Sequence, residues 1–171
     1  DDWRAWALEA SIHPIVSGFL STRRELLFDM ANTERAFPTP RSWEMLSDAV
    51  KQVGTTDDAV DILAGIVGEG AAIEFLGYCK TAITEEQIEE IIKNPDTADI
   101  PDDIGDRYAL ISHISSRAGE KEVLRAAGEI INRLPAEFGV LLTRDVLQVN
   151  PEFALNRGYQ KFVTNHDDLI V

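Results

Sequence analysis

The chain has 171 residues, 44% of them hydrophobic, which is enough for a packed core and too much for a wholly disordered protein. Sixteen basic residues against thirty acidic ones leave a formal charge of -14, which repels nucleic-acid phosphates and anionic membrane surfaces, so neither is expected as a partner. The lone cysteine, Cys79, allows no internal disulfide and suits a reducing, cytoplasmic setting; no secretory signal is evident and no apolar run approaches the roughly 20 residues that span a bilayer.

In chain order, Trp3, Trp6, Ala7 and Ala10 fall at helical spacing until Pro14, which ends that run and opens a second short helix carrying Ile15, Val16, Phe19 and Leu20. Thr22-Arg23-Arg24-Glu25 has the form of a capping box and predicts a third short turn over Leu26, Leu27 and Phe28. Residues 29–37 read as a polar connection. Thr39 and Pro40 then supply a cap and a first-turn proline for a helix in which Trp43, Leu46, Val50 and Val53 share one face. Glu44, Ser47, Asp48 and Lys51 share the other, and Gly54 provides the stop. The next helix starts at Asp57 or the threonine before it, carries Val60, Leu63, Ile66 and Val67, and ends at Gly68. So little chain separates it from the helix of Ala72, Phe75, Leu76 and Cys79 that the two are expected to pair antiparallel. Gly68, Gly70, Ala71 and Ala72 are small enough for two backbones to approach closely there.

Thr84-Glu85-Glu86-Gln87 is a second capping box, opening a helix with Ile88, Ile91 and Ile92 on its apolar face. The stretch from Pro95 to Asp103 lacks periodicity and reads as a solvated acidic loop. It divides the chain into residues 1–94 and residues 95–171, either as separate modules or packed as one domain. Ile104, Tyr108, Leu110, Ile111 and Ile114 predict a helix closing near Gly119. Val123, Leu124, Ala127, Ile130, Ile131 and Leu134 give the most regular helical pattern in the chain. Pro135 starts another helix with Phe138, Leu141 and Leu142 inward. Asn150-Pro151 caps the last, whose stripe is Leu155, Tyr159, Phe162 and Val163. No segment alternates as a strand does, so the expected fold class is all-α, a bundle of about eight to ten short antiparallel helices without significant sheet.

The helix start at Thr39-Pro40-Arg41 is the one place where capping chemistry meets a lone cation. Unpaired N–H groups and a partial positive charge at a helix N-terminus favour anions, and a guanidinium beside them makes a candidate phosphate contact. Without any further argument, Arg41 could equally pair with Glu44 or Glu34, or lay its stem over Trp43.

Phe37-Pro38-Thr39-Pro40-Arg41-Ser42-Trp43-Glu44 resembles the sensor 2 segment of MoxR-like AAA+ ATPases, in which a Pro-Arg pair opens a helix of the C-terminal helical lid. His13-Pro14, the segment ending Arg23-Arg24-Glu25-Leu26-Leu27, and Val67-Gly68-Glu69-Gly70-Ala71-Ala72 look like flanking parts of the same region. The resemblance is most specific from His13 to Cys79. It implies a lid-like subdomain in residues 1–94, a C-terminal helical extension in residues 95–171, and Arg41 as the residue that senses nucleotide phosphates. It further implies ATP and magnesium as ligands of the full-length protein, an α/β core in the same polypeptide, and neighbouring subunits of a ring oligomer as partners. A protein client, whose remodelling the lid would serve, is also implied.

The chain itself carries no Gly-x-x-x-x-Gly-Lys-Ser/Thr loop and no aliphatic run ending in Asp-Glu. It is therefore expected to hold no catalytic residue and no cofactor of its own, and to be the non-catalytic part of a longer ATPase. A second reading, from another class, is a free-standing acidic helical adaptor, which exposed aromatic side chains at Trp3, Trp6 or Tyr159 would favour. An acidic mimic of DNA follows from net charge alone.

No metal ligand set is expected. His13, His113 and His166 are far apart in sequence and lack the His-Glu-x-x-His spacing, and Asp99, Asp102, Asp103 and Asp106 lack that of an EF-hand. His13 reads as a turn-orienting residue, His113 as mid-helix and His166 as part of a polar tail. No sequence-adjacent base or cation other than Lys80 marks Cys79 as a nucleophile.

Overall fold

The computed structural model describes residues 2–29, 31 and 35–166, and among these all regular structure is helical, as the periodicity predicts. The α-helices are α1 (Asp2–Glu9), α2 (Pro14–Thr22), α3 (Pro40–Val53), α4 (Val60–Val67), α5 (Glu69–Thr81), α6 (Glu85–Lys93), α7 (Ile104–Ser116), α8 (Lys121–Ile130), α9 (Ala136–Val149) and α10 (Arg157–Asn165). Short 3-10 turns lie at Arg24–Leu27, Asp57–Ala59 and Pro151–Leu155. None of the helices is long and apolar enough to cross a membrane.

Most boundaries follow the local chemistry. Pro14 and Pro40 occupy first-turn positions, where a missing N–H costs nothing. Thr84 and Gln87 form their reciprocal box, with Thr84 N–H donating to Gln87 Oε1 at 2.9 Å. Gly54 and Gly68 end α3 and α4 with φ of 74° and 88°, a conformation that a β-carbon disfavours.

Four local expectations are corrected. Thr22 and Glu25 do not form a box, because Thr22 still belongs to α2 and its hydroxyl donates back to the Phe19 carbonyl at 2.7 Å. Ser47 does not face water with Glu44 and Asp48. It is buried, and its Oγ accepts from His13 N–H at 2.8 Å, which ties α3 to the start of α2. Gly70 has open space where a β-carbon would stand, so close approach at the α4–α5 junction is left to buried Ala71 and Ala72. Ile104 and Leu155 point outward, Leu155 at 78% exposure, because each sits at the edge of its element.

Burial produces two apolar cores. The first gathers α1 to α5 around Trp43, Phe19 and Phe75, whose rings meet at 5.4–6.2 Å. The second gathers α6 to α10 around Leu110, Ile111, Ile114, Ile130, Leu142 and Phe162. Ile88, Ile91 and Ile92 of α6 belong to this second core, so the apolar division falls between Leu76 and Ile83, ahead of the acidic loop. That loop is itself tied down: Arg133 donates to the carbonyls of Pro95 and Ala98 at 2.6 and 2.7 Å.

The two cores are joined along α2 and α7. At Gly18 the helices come so close that a methyl group would lie 3.1 Å from Ala109 Cα. Arg4 fastens the same seam from the side. Its Nε donates to Asp145 of α9 at 2.6 Å, and its remaining nitrogens reach Ser21 of α2 at 2.7 Å and Ser112 of α7 at 3.4 Å. The side chains of Arg4 and Asp145 are 11% and 1% exposed. A charge pair so far from water depends on both members being present: without Asp145 the guanidinium would be a buried ion with no counter-charge, and without Arg4 the buried Asp145 would keep only a 3.5 Å contact to the half-exposed Arg144. Arg4→Met alone should therefore cost about 3–5 kcal/mol of unfolding free energy, whereas Arg4→Met with Asp145→Leu recovers most of it. Urea denaturation of both variants checks this, and equal losses would contradict it.

Candidate functional site at the start of α3

Arg41 stands at the second position of α3, and three arrangements fix where it points. Thr39, extended at φ -144° and ψ 159°, is the N-cap; its Oγ1 accepts from Ser42 N–H at 3.0 Å, and Ser42 Oγ accepts from Thr39 N–H at 2.8 Å. Ser42 Oγ also reaches the Phe37 carbonyl at 3.0 Å, so the loop before the helix is bound to its first turn. On the inner side, Trp43 is fully buried and donates its indole N–H to the Leu26 carbonyl at 2.7 Å. Burying an indole of this size is worth a few kcal/mol, so α3 is anchored two residues after Arg41.

Arg41 itself is exposed. Among the described residues it forms no ion pair, neither with Glu44 nor by stacking on Trp43, whose ring is turned into the core. Glu34, the other carboxylate that the sequence offers, lies outside the described residues. The first turn of α3 contains no acidic side chain. A guanidinium there opposes the helix dipole, an arrangement that an arriving anion would relieve.

The backbone of that turn offers little else. Pro40 has no N–H, that of Ser42 goes to Thr39 Oγ1, and that of Trp43 goes to the Thr39 carbonyl at 3.0 Å. What remains is the Arg41 N–H and its guanidinium. That is one phosphate contact point and is too little to hold a nucleotide without further residues. The cap and the proline were legible in sequence. The reciprocal Ser42 bond was not, because serine takes the place where the familiar box has Glu or Gln.

The fold also brings together residues that the sequence keeps 100 positions apart. His13, the N-cap of α2, accepts from Ile15 N–H through Nδ1 at 3.2 Å, the turn-orienting role its place before Pro14 predicts. Its ring meets that of His113 of α7 edge to face, with centroids 6.4 Å apart. Cys79, Lys51 and Glu85 line the same cavity, of about 530 Å³. Burial lowers the pKa of His13, with Glu85 opposing and Lys51 adding to the effect. Burial, then His13 and Arg117, takes His113 down to about 4 against the opposing pull of Glu89. Burial pushes the Cys79 thiol up to about 12, which makes it a poor nucleophile. Among the described residues no three His, Cys, Asp or Glu side chains lie close enough to hold a metal ion. His166 stacks on Phe162 with ring centroids 4.4 Å apart, at the end of α10.

Both facing imidazoles are neutral near pH 7 and bind protons more weakly folded than unfolded. As pH falls below about 6.5 the unfolded chain takes up protons first, so stability is full above that value and drains away down to about pH 4. For His113 the loss is on the order of 3 kcal/mol, and His113→Gln should flatten the profile between pH 6.5 and 4. Urea midpoints measured across that range check this, and an unchanged profile in the variant would contradict it.

Comparison with known proteins adds no relative: no family model, no curated protein and no solved structure matches the chain.

Proposed function

We propose that the chain is the non-catalytic helical lid, with its C-terminal extension, of a MoxR-like AAA+ ATPase, and that Arg41 reports the nucleotide state to the rest of the helices. The observation that carries this reading is the state of Arg41: exposed, without an ion pair among the described residues, and mounted on a helix whose cap and first buried tryptophan hold it in place. In this reading an α/β core of the same polypeptide holds ATP and magnesium, and Arg41 contacts the phosphates when core and lid close. Hydrolysis removes that contact and shifts the population toward an open arrangement. The shift passes from α3 through Ser47 and His13 to α2, and from α2 along the Gly18 seam to α7 and the second core. A neighbouring ring subunit or a client protein receives it there.

A second reading has its own observation. Trp6 is 37% exposed, and Ile62 of α4 and Ile73 of α5 are exposed as well, which suits an adaptor that binds a protein partner through apolar side chains. Trp3 and Tyr159 are only half-buried or better and add less to it.

The two readings separate on one experiment. ATP hydrolysis is measured with magnesium for the polypeptide that includes the proposed core, with Arg41 and with Arg41→Ala. The lid reading expects nucleotide binding to persist and hydrolysis to fall by about 100-fold, with Arg41→Lys between the two because it keeps charge but not the planar fork. Hydrolysis that is indifferent to Arg41, or a full-length protein that binds no ATP, leaves the adaptor reading.

A further inference from the structure

Two cavities, of about 710 and 660 Å³, adjoin where the chain passes from the first core to the second, and Thr81, Ala82 and Asp106 line both. One opens between α2, α5 and the start of α7, the other between α6 and the stretch from Thr97 to Pro101. Neither is lined by Arg41, His13 or His113. Together they form a groove with apolar side chains in its walls. Ile83 and Ile91 are buried in the second core, Ala98, Ile100 and Pro101 are half-buried in the loop, and Ile104 at the start of α7 is 58% exposed. The loop wall is held in place from outside the groove, by Arg133 at the carbonyls of Pro95 and Ala98 and by Arg107 at that of Pro101, 2.9 Å away.

The charged side chains of the lining are almost all of one sign. Glu74, Glu86, Glu90, Asp99, Asp103 and Asp106 face a single cation, Arg23, whereas the whole chain sets thirty acidic residues against sixteen basic ones, so the excess is local. Arg23 is already paired with Glu74 at 3.3 Å. The other five carboxylates have no cationic partner among the described residues. Asp103 accepts from Gly105 N–H at 2.7 Å, Asp106 from Ile83 N–H at 2.8 Å and Glu90 from the Asn94 amide at 2.8 Å, bonds that occupy oxygens without neutralising charge. Glu86 and Asp99 are exposed and bond to nothing among the described residues. Uncompensated carboxylates of one sign repel each other along the groove, and a ligand that carries positive charge relieves that repulsion.

We infer that this groove binds a basic, apolar segment of a protein partner. Its lysine or arginine side chains pair with Glu86, Asp99 and Asp103, and its aliphatic ones pack against Ile91, Ile100 and Ile104. Charge complementarity selects the occupant: the same carboxylates repel nucleic acid and anionic lipid, and a small polycation such as spermidine leaves the apolar walls uncovered. Two adjoining cavities suit a chain segment, which seats successive side chains in successive pockets. A segment bound there touches α5 of the first core and α6 of the second. The inference stands on this groove alone. It uses neither Arg41 nor the exposed Trp6, Ile62 and Ile73, and so requires neither the lid nor the adaptor reading.

The test uses a synthetic peptide, Lys-Arg-Leu-Lys-Leu-Arg-Lys, blocked at both ends, with two controls: one in which serine replaces the leucines and one in which glutamate replaces the basic residues. Binding to the full chain is followed in proton–nitrogen correlation spectra. The expected result is a saturable shift centred on groove amides such as those of Ala82, Asp99 and Gly105, binding at least about tenfold weaker for the serine peptide, and no binding of the glutamate peptide. Glu86→Gln with Asp99→Asn should weaken the basic peptide about fivefold or more. Asp61→Asn with Glu152→Gln removes the same charge outside the groove and should change binding less than about twofold. All four side chains are exposed and none is in an ion pair among the described residues, so both double variants keep the fold, which their spectra report. No saturable binding, shifts centred elsewhere, a serine peptide that binds as tightly, or equal weakening by the two double variants overturns the inference, the last two by showing attraction to net charge alone.

Discussion

The structure depends most on one buried ion pair. Arg4 and Asp145 come from opposite ends of the described chain, and the hydroxyls of Ser21 and Ser112 complete the arrangement, so four helices from both cores meet at a single guanidinium. Arginine suits this position because its planar fork can serve several acceptors at once while its stem packs along apolar side chains. Such a pair is costly to desolvate and adds little stability beyond what an apolar substitute would. Its contribution is placement: it fixes how α1 and α9 close over the contact of α2 with α7. A cavity of about 320 Å³, bordered by Trp3, Arg4 and Arg24, lies beside the pair.

The seam explains why two separate apolar cores behave as one frame for Arg41. The first core mounts α3 through Trp43 and ties it to α2 through Ser47 and the His13 N–H. The second receives α2 on α7 so closely that a β-carbon at position 18 would lie 3.1 Å from Ala109 Cα. Tyr78 adds a bond across the same region, its hydroxyl donating to the Gly105 carbonyl at 3.2 Å. Two neutral imidazoles face each other beside this contact, and charging them would press like charges into it. The lid reading requires a stiff path of this kind, because a phosphate released at one guanidinium has consequences elsewhere only if the elements between do not absorb the change.

The sequence made the fold class and most helix boundaries legible, because prolines, caps and the spacing of apolar residues act over a few positions. Thr39-Pro40, Thr84 to Gln87, Gly54 and Gly68 are of this kind. It misled where a side chain had two local options: Thr22 bonds backward within α2 instead of forward to cap a turn, and Ser47 turns inward to serve a backbone N–H of another helix. Its silence was complete for pairs set by tertiary packing. Nothing near Arg4 announces Asp145, 141 positions on, and nothing near His13 announces His113. Arg41 lies between these cases. Its place in the first turn was readable, whereas its freedom from Glu44 and Trp43 depended on Trp43 being turned fully into the core.

The central claim is that both cores form one mechanical unit, without which a signal at Arg41 would have no way to reach α7 and beyond. Native-state hydrogen exchange at rising denaturant tests it most directly, since each slowly exchanging amide reports the free energy of the opening that exposes it. The account predicts that core amides of α3 and α5 and those of α7 and α9 converge on one global opening. A first core that opens at distinctly lower free energy than the second would contradict it and make the chain two independent helical modules.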